Sequence, residues 1–209
     1  MNLTFLNTLA LTGGEWVIYL LLICSVVAGA VILERAIVLW REGGHLTRLR
    51  EALAGDPGGD LEAMGKVVRA HGGAAGRVLQ AGFARVRQGA ESVADHLVAA
   101  TLIEKVGLER RLLILGTLGN NAPFIGLFGT VLGVIKAFHD LARKGSNPEA
   151  VMEGLSEALI ATAVGLFVAI PCVIAFNYFQ GKVKELLAGT ESLGRMLQAR
   201  AREAQGGGK

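Results

Sequence analysis

Three long apolar runs set the layout of the chain: Trp16 to Trp40, Leu112 to Phe138 and Leu155 to Phe179. Each reaches the roughly 20 apolar residues that a helix needs to cross a bilayer core. Between the first and second lie about 70 residues, Arg41 to Arg111, in which charge is interspersed. That stretch opens with a predicted break at Gly43 and Gly44, then a short helix, then the loop signal GDPGGD at Gly55 to Asp60. Leu61 to Arg69 and Ala74 to Arg87 read as short helices separated by His71, Gly72 and Gly73.

From Glu91 onward, Val93, Leu97, Ala100, Ile103 or Glu104, Gly107 and Leu108 recur near the helical period. No Gly or Pro pair separates them from the second apolar run. The pattern therefore predicts one helix from Glu91 to His139, bent at Pro123, whose freed backbone group a membrane neighbour can satisfy. Gly145, Ser146, Asn147 and Pro148 predict a loop, with Pro148 starting the next helix and Glu149 and Glu153 suited to its first turns. The third run passes into an amphipathic tail, Gly181 to Ala204, and a flexible GGGK end.

Composition agrees with the runs. The 209 residues are 52% hydrophobic, gathered rather than scattered as in a soluble core. The fold class expected is an all-α membrane protein with three transmembrane helices. A cleaved leader is not expected, because no basic residue precedes the first run and no small-x-small site follows it. Cys24 and Cys172 fall inside the runs and read as small hydrophobes.

Charge sets the expected sidedness. Residues 1 to 15 hold no Lys or Arg, Arg41 to Arg111 hold eleven, and the tail after Gln180 holds six. Arg143 and Lys144 between the second and third runs are outvoted. The expected partition is a periplasmic lead at 1–14, transmembrane helices at 15–40, 112–139 and 155–179, a cytoplasmic helical region at 41–111, a periplasmic loop and helix start at 140–154, and a cytoplasmic tail at 180–209. The net charge of +3 reflects this sidedness and gives no argument for nucleic acid. Glu34 and Arg35, near the inner end of the first span, read as an interfacial pair or as a contact to a partner subunit.

Depth counting brings polar residues together. With the outer boundary near Phe138 on one helix and Leu155 on the other, Thr130 lies about 12 Å deep and Thr162 about 10 Å deep. Glu157 is level with Lys136 near the outer mouth, which suits either a functional carboxylate or an ion pair between the two. Ala122, Gly126, Gly129 and Gly133 on one helix, with Ala161, Gly165 and Ala169 on the other, form small-residue stripes for close packing. Asn120 and Asn121 are expected to face a neighbour or water, because bulkier amides lack the own-helix bond open to threonine.

No Asp, Glu or His stands near the midplane of the second or third run, so any titrating stop on an ion path has to come from another chain. No Gly-Lys-Ser or Gly-Lys-Thr follows GLFGTVLG, the four histidines lack metal-ligand spacing, and no Ser, His, Asp set converges. An enzyme is not expected, nor a cofactor or metal.

The segments APFIGLFGTVLGVIKAF, Ala122 to Phe138, and EALIATAVGLFVAIP, Glu157 to Pro171, resemble the ExbB/TolQ/MotA proton-channel family, closest to its ExbB/TolQ branch. The flagellar branch has four spans and a longer cytoplasmic insert. The resemblance implies an inner-membrane homopentamer around a central pore, with long helices extending into the cytoplasm. It also implies a dimer of a single-span ExbD/TolR-like protein carrying the titrating Asp, and a TonB/TolA-like or gliding-machinery protein beyond it, in contact with membrane lipid. On that resemblance Thr130 and Thr162 match pore-lining threonines and Glu157 a pore-mouth glutamate. The implied work is energising outer-membrane transport, envelope maintenance or gliding from proton-motive force. Two other classes are weighed: a self-contained transporter, which needs its own substrate site with broken helices and a buried carboxylate and is opposed by three spans with no midplane acid, and a structural membrane scaffold without ion coupling.

Overall fold

The computed structural model describes residues 13–55, 61–144 and 148–206. Every element among them is helical: α1 (Glu15–Ala54), α2 (Leu61–Ala70), α3 (Gly73–Phe83), a 3-10 turn (Val86–Gln88), α4 (Ala90–Glu109), α5 (Leu112–Lys144) and α6 (Pro148–Gly206). Three of them, α1, α5 and α6, are long and apolar enough to cross a membrane. The 40 residues of α1 and the 59 of α6 outrun the ~30 Å of a bilayer core at ~1.5 Å per residue. The expected loop at 56–60, the loop at 145–147, the lead at 1–12 and the tail end at 207–209 lie outside the described residues.

Two expectations about helix ends are corrected. Gly43 and Gly44 do not break α1, although each glycine costs roughly 1 kcal/mol in a helix. Packing beyond them overrides propensity: Leu49 is fully buried, and Leu46 lies so close to Gly189 of α6 that an added Cβ there would stand 2.7 Å from it. Conversely, the helix predicted from Glu91 to His139 is two helices. Arg110 is extended (ψ 136°) and Arg111 takes φ 65°, in the left-handed region that non-glycine residues rarely adopt. The buried face of α4, including Val93 and Leu97, and that of α5, including Leu112 and Leu115, belong to different compact units, and the chain turns between them. By contrast, the last helix runs unbroken through Pro171 and the predicted tail, and α5 runs unbroken through Pro123.

The described residues form two units. The apolar unit takes 13–33 and 111–177, and the charged unit takes 34–110 and 178–206. In the charged unit Leu49, Val68, Val78, Leu79, Val93 and Leu197 build a core from α1, α2, α3, α4 and α6. Gly65 of α2 lies against the Phe83 ring so closely that a Cβ there would displace the ring, and Arg69 stacks over the same ring at 5.8 Å.

Polar side chains complete the helix ends, whose backbone groups lack partners within their own helix. The Val67 carbonyl at the end of α2 lies 2.8 Å from His71 Nδ1, and the Val68 carbonyl accepts from Gln80 Nε2 at 3.1 Å. At the start of α3, the Ala74 N–H donates to Glu42 Oε2 of α1 at 2.7 Å. Arg77 donates to both Glu104 oxygens, at 2.7 and 2.6 Å, and this bond pushes the guanidinium further above its ordinary range. Arg35 is buried and donates from Nη2 to Glu34 at 2.9 Å, the pairing expected for these neighbours. Its Nε and Nη1 have no hydrogen-bond partner among the described residues.

Glu42 acts at the N-terminus of α3 as a capping acceptor, though it stands on a different helix. Glu42→Ala is expected to lower the local stability of α3 by about 1 kcal/mol. Hydrogen exchange on the full-length protein checks this: the amides of 74–76 exchange roughly five times faster, and those of α5 are unchanged.

Candidate functional site

Helices α5 and α6 pack antiparallel along the two small-residue stripes. A Cβ placed on Gly126 would lie 2.7 Å from the Ala161 carbonyl oxygen, and one on Gly165 would lie 2.7 Å from the Ala122 carbonyl oxygen. One on Gly133 would meet the Ala158 Cβ at 2.6 Å. Gly119 against Val173 and Gly116 against Phe176 continue the register toward the other end. Gly129 is held from two sides, by Ala161 of α6 and Val17 of α1. Only hydrogen in place of a side chain allows these backbones so near one another.

That approach brings the two threonines together. Thr130 Oγ1 and Thr162 Oγ1 are 2.5 Å apart, and Thr130 Oγ1 is also 3.2 Å from the Gly126 carbonyl and 3.3 Å from the Ala158 carbonyl. A hydroxyl has one proton to give. Carbonyls only accept, so when Thr130 donates to them, Thr162 donates to Thr130. The depth count placed these hydroxyls level, and the structure pairs them.

At the Lys136 end of α5, the Glu157 ion pair, one of the two readings left open for that carboxylate, does not form. Lys136 donates to Glu15 Oε1 of α1 at 3.1 Å, while Glu157 is exposed. Lys136 and Glu157 do share a cavity of about 140 Å³, with Glu15, Asp140 and Gly133 in its lining. Glu15 wins because Gly14 lets α1 begin against α5: a Cβ on Gly14 would lie 2.5 Å from the Gly129 carbonyl oxygen. Trp16 adds an edge-to-face contact with Phe128 at 6.3 Å. Sequence reading missed Glu15. Counting depth on all three runs, rather than on two, puts it level with Lys136.

Asn120 and Asn121 are both exposed, yet Asn121 Nδ2 donates to the Thr117 carbonyl on its own helix at 2.8 Å. The amide has the own-helix escape that its size was expected to deny it, because a side-chain N–H reaches one turn back as a hydroxyl does. Pro123 is half-buried beside them. Among the described residues no group of three or more His, Cys, Asp or Glu is placed to hold a metal ion.

Residues 71–192, more than half of the chain, match the MotA/TolQ/ExbB proton channel family. The chain belongs to this family. It is 46% identical over 87 residues to the biopolymer transport protein ExbB of Aquifex aeolicus, an alignment covering 41% of this chain and 59% of that protein. It is 45% identical over 100 residues to the Tol-Pal system protein TolQ of Pseudomonas aeruginosa, covering 47% and 43%. The TolQ of Haemophilus influenzae is 37% identical over 113 residues, half of each chain. The chain thus spans about half the length of the curated relatives it matches and stands on the ExbB/TolQ branch. Thr130, Thr162, Glu157 and both glycine stripes lie in the stretch matched to the MotA/TolQ/ExbB family, whereas Glu15 lies outside it.

The glycine contacts in this family member generate a test. Gly126→Ala and Gly165→Ala each gain up to about 1 kcal/mol of helix propensity but overpack against backbone, a cost of roughly 1 to 3 kcal/mol. Both are expected to lower the thermal midpoint of the detergent-purified protein. Gly29→Ala, where a Cβ meets nothing within 4 Å, is expected to leave it unchanged or raise it.

Proposed function

We propose that this chain is the channel-forming subunit of an ion-driven motor in the bacterial inner membrane. Five copies surround a central pore, with the N-terminus in the periplasm, and the charged unit and C-terminus in the cytoplasm. Helices α5 and α6 line the pore, with Thr130 and Thr162 on the ion path, Glu157 at its outer mouth and Asn120 and Asn121 toward its inner end. A dimer of an ExbD/TolR-like single-span partner supplies the Asp that gains and loses the proton. The motor energises outer-membrane transport, envelope maintenance or gliding.

One observation carries this reading: two hydroxyls bonded to each other at 2.5 Å, inside spans that hold no Asp, Glu or His from 112 to 135 or from 158 to 179. A hydroxyl accepts a hydrogen bond on one side while donating on the other, so the pair can hand a proton along without keeping it. For that, Thr130 turns its O–H from the Gly126 and Ala158 carbonyls toward the path, giving up a bond worth about 1 kcal/mol. A carboxylate that stores the proton has to come from the partner.

The same hydroxyl contacts favour one second reading, a structural scaffold in which the threonines only tie α5 to α6. Thr130→Val keeps the shape and removes the hydroxyl, and Thr130→Ser keeps the hydroxyl. In liposomes holding the complex with its partner, Thr130→Val and Thr162→Ala are expected to cut proton flux about tenfold or more, with the oligomer mass unchanged and flux restored by Thr130→Ser. Full flux in both hydroxyl-free variants sinks the motor reading. Lost assembly in both makes the chain a scaffold.

A further inference from the structure

Helices α1 and α6 leave their apolar runs together. The run on α1 ends at Trp40 before Arg41, and the run on α6 ends at Phe179 before Lys182. There, within the charged unit, the two helices border a groove of about 690 Å³. That size falls in the ~300–1,000 Å³ range of small-molecule sites. Its floor is apolar, with Leu39 and Phe179 buried at 5% and 4% exposure and Leu46 beside them. Its rim carries Trp40 and Tyr178, 84% and 59% exposed, and the ion pair of Lys182 Nζ with Glu185 Oε2 at 2.8 Å.

These features select an occupant. The groove straddles the point where the chain passes from apolar to charged, so it opens at the headgroup level, where Trp and Tyr concentrate. Its rim offers one cation and one anion. The Glu185 hydrogen bond pushes Lys182 above its ordinary pKa, so the cation persists. An exposed pair of this kind holds itself together only weakly, and a ligand bearing both signs can separate it while leaving each charge matched.

We propose that this groove binds a phospholipid of the surrounding bilayer through a zwitterionic phosphoethanolamine headgroup. The phosphate meets Lys182, the primary ammonium donates to Glu185, and the acyl chains cover Leu39, Leu46 and Phe179. A trimethylammonium cannot donate to Glu185, and a glycerol headgroup brings no cation. The site does not depend on the motor reading.

The test uses the full-length oligomer, stripped of lipid and equilibrated in micelles with equal phosphatidylethanolamine, phosphatidylcholine and phosphatidylglycerol. Native mass spectrometry then counts retained lipid per chain. Wild type is expected to prefer phosphatidylethanolamine about fivefold over the other two, the scale of one exposed charged contact. Lys182→Gln and Glu185→Gln are each expected to lose that preference, and Lys184→Gln, outside the groove lining, to keep it. Retention blind to headgroup, a preference for either other lipid, or no retained lipid overturns the proposal. Should a variant fail to assemble, the selectivity of the wild type alone decides.

Discussion

The contact between α5 and α6 at backbone distance is the constraint on which the apolar unit depends. Lipid tails are as apolar as leucine, so no hydrophobic gain drives helices together in a membrane, and close packing has to do it. Here Gly126 faces Ala161 and Gly165, and Gly165 faces Ala122 and Gly126, so either backbone is the other's surface. The threonine pair follows from that distance. A hydroxyl on a short side chain reaches across only when the helices nearly touch, and Thr130 reaches not just Thr162 but the Ala158 carbonyl behind it. Gly129 transmits the constraint to α1, because Val17 and Ala161 both rest on it.

What could be read from the sequence divides along a physical line. Long apolar runs, small-residue stripes and the relative depth of Thr130 and Thr162 depend on composition and on a fixed rise per residue, and these were legible. So were α2 and the start of α3, whose separation at Gly72 and Gly73 rests on a glycine at φ 83°, although α3 ends at Phe83 and a 3-10 turn takes Val86–Gln88 where one helix to Arg87 was expected. Features set by tertiary packing were not. Gly43 and Gly44 look like a break, but leucines beyond them pack and the helix continues. Glu109, Arg110 and Arg111 look like uninterrupted helix, but Arg111 turns left-handed where the chain leaves one unit for the other. The Lys136 pairing was missed because it depends on where α1 begins, which no pairwise count between α5 and α6 contains.

The two units hold polarity in opposite ways. The charged unit fixes its charges in specific geometry: a bidentate Arg77 to Glu104 pair, Glu42 on the α3 N-terminus, and Arg35 buried against Glu34. Burying half-paired guanidinium nitrogens is costly, so Arg35 is weak evidence for stability and better evidence for a fixed arrangement of α1. In the apolar unit Glu15, Lys136, Asp140 and Glu157 line one cavity, and from 112 to 135 and from 158 to 177 the two spans hold no Asp, Glu, His, Lys or Arg.

That absence constrains the mechanism of a family member more than any residue present. A buried carboxylate on α5 or α6 would hold its proton through desolvation and would need a moving counter-charge to release it. Hydroxyls avoid this: they conduct in either protonation pattern of their neighbours and change no net charge. On the proposed reading the chain therefore offers a path whose electrostatics stay constant while the partner's Asp alternates. The short-range order of Thr162, Thr130 and the two carbonyls gives the path a default direction of donation. Reversing that order takes a turn of two hydroxyls, far less than the separation of α5 from α6, so the packing that brings the threonines together can stay rigid while protons pass.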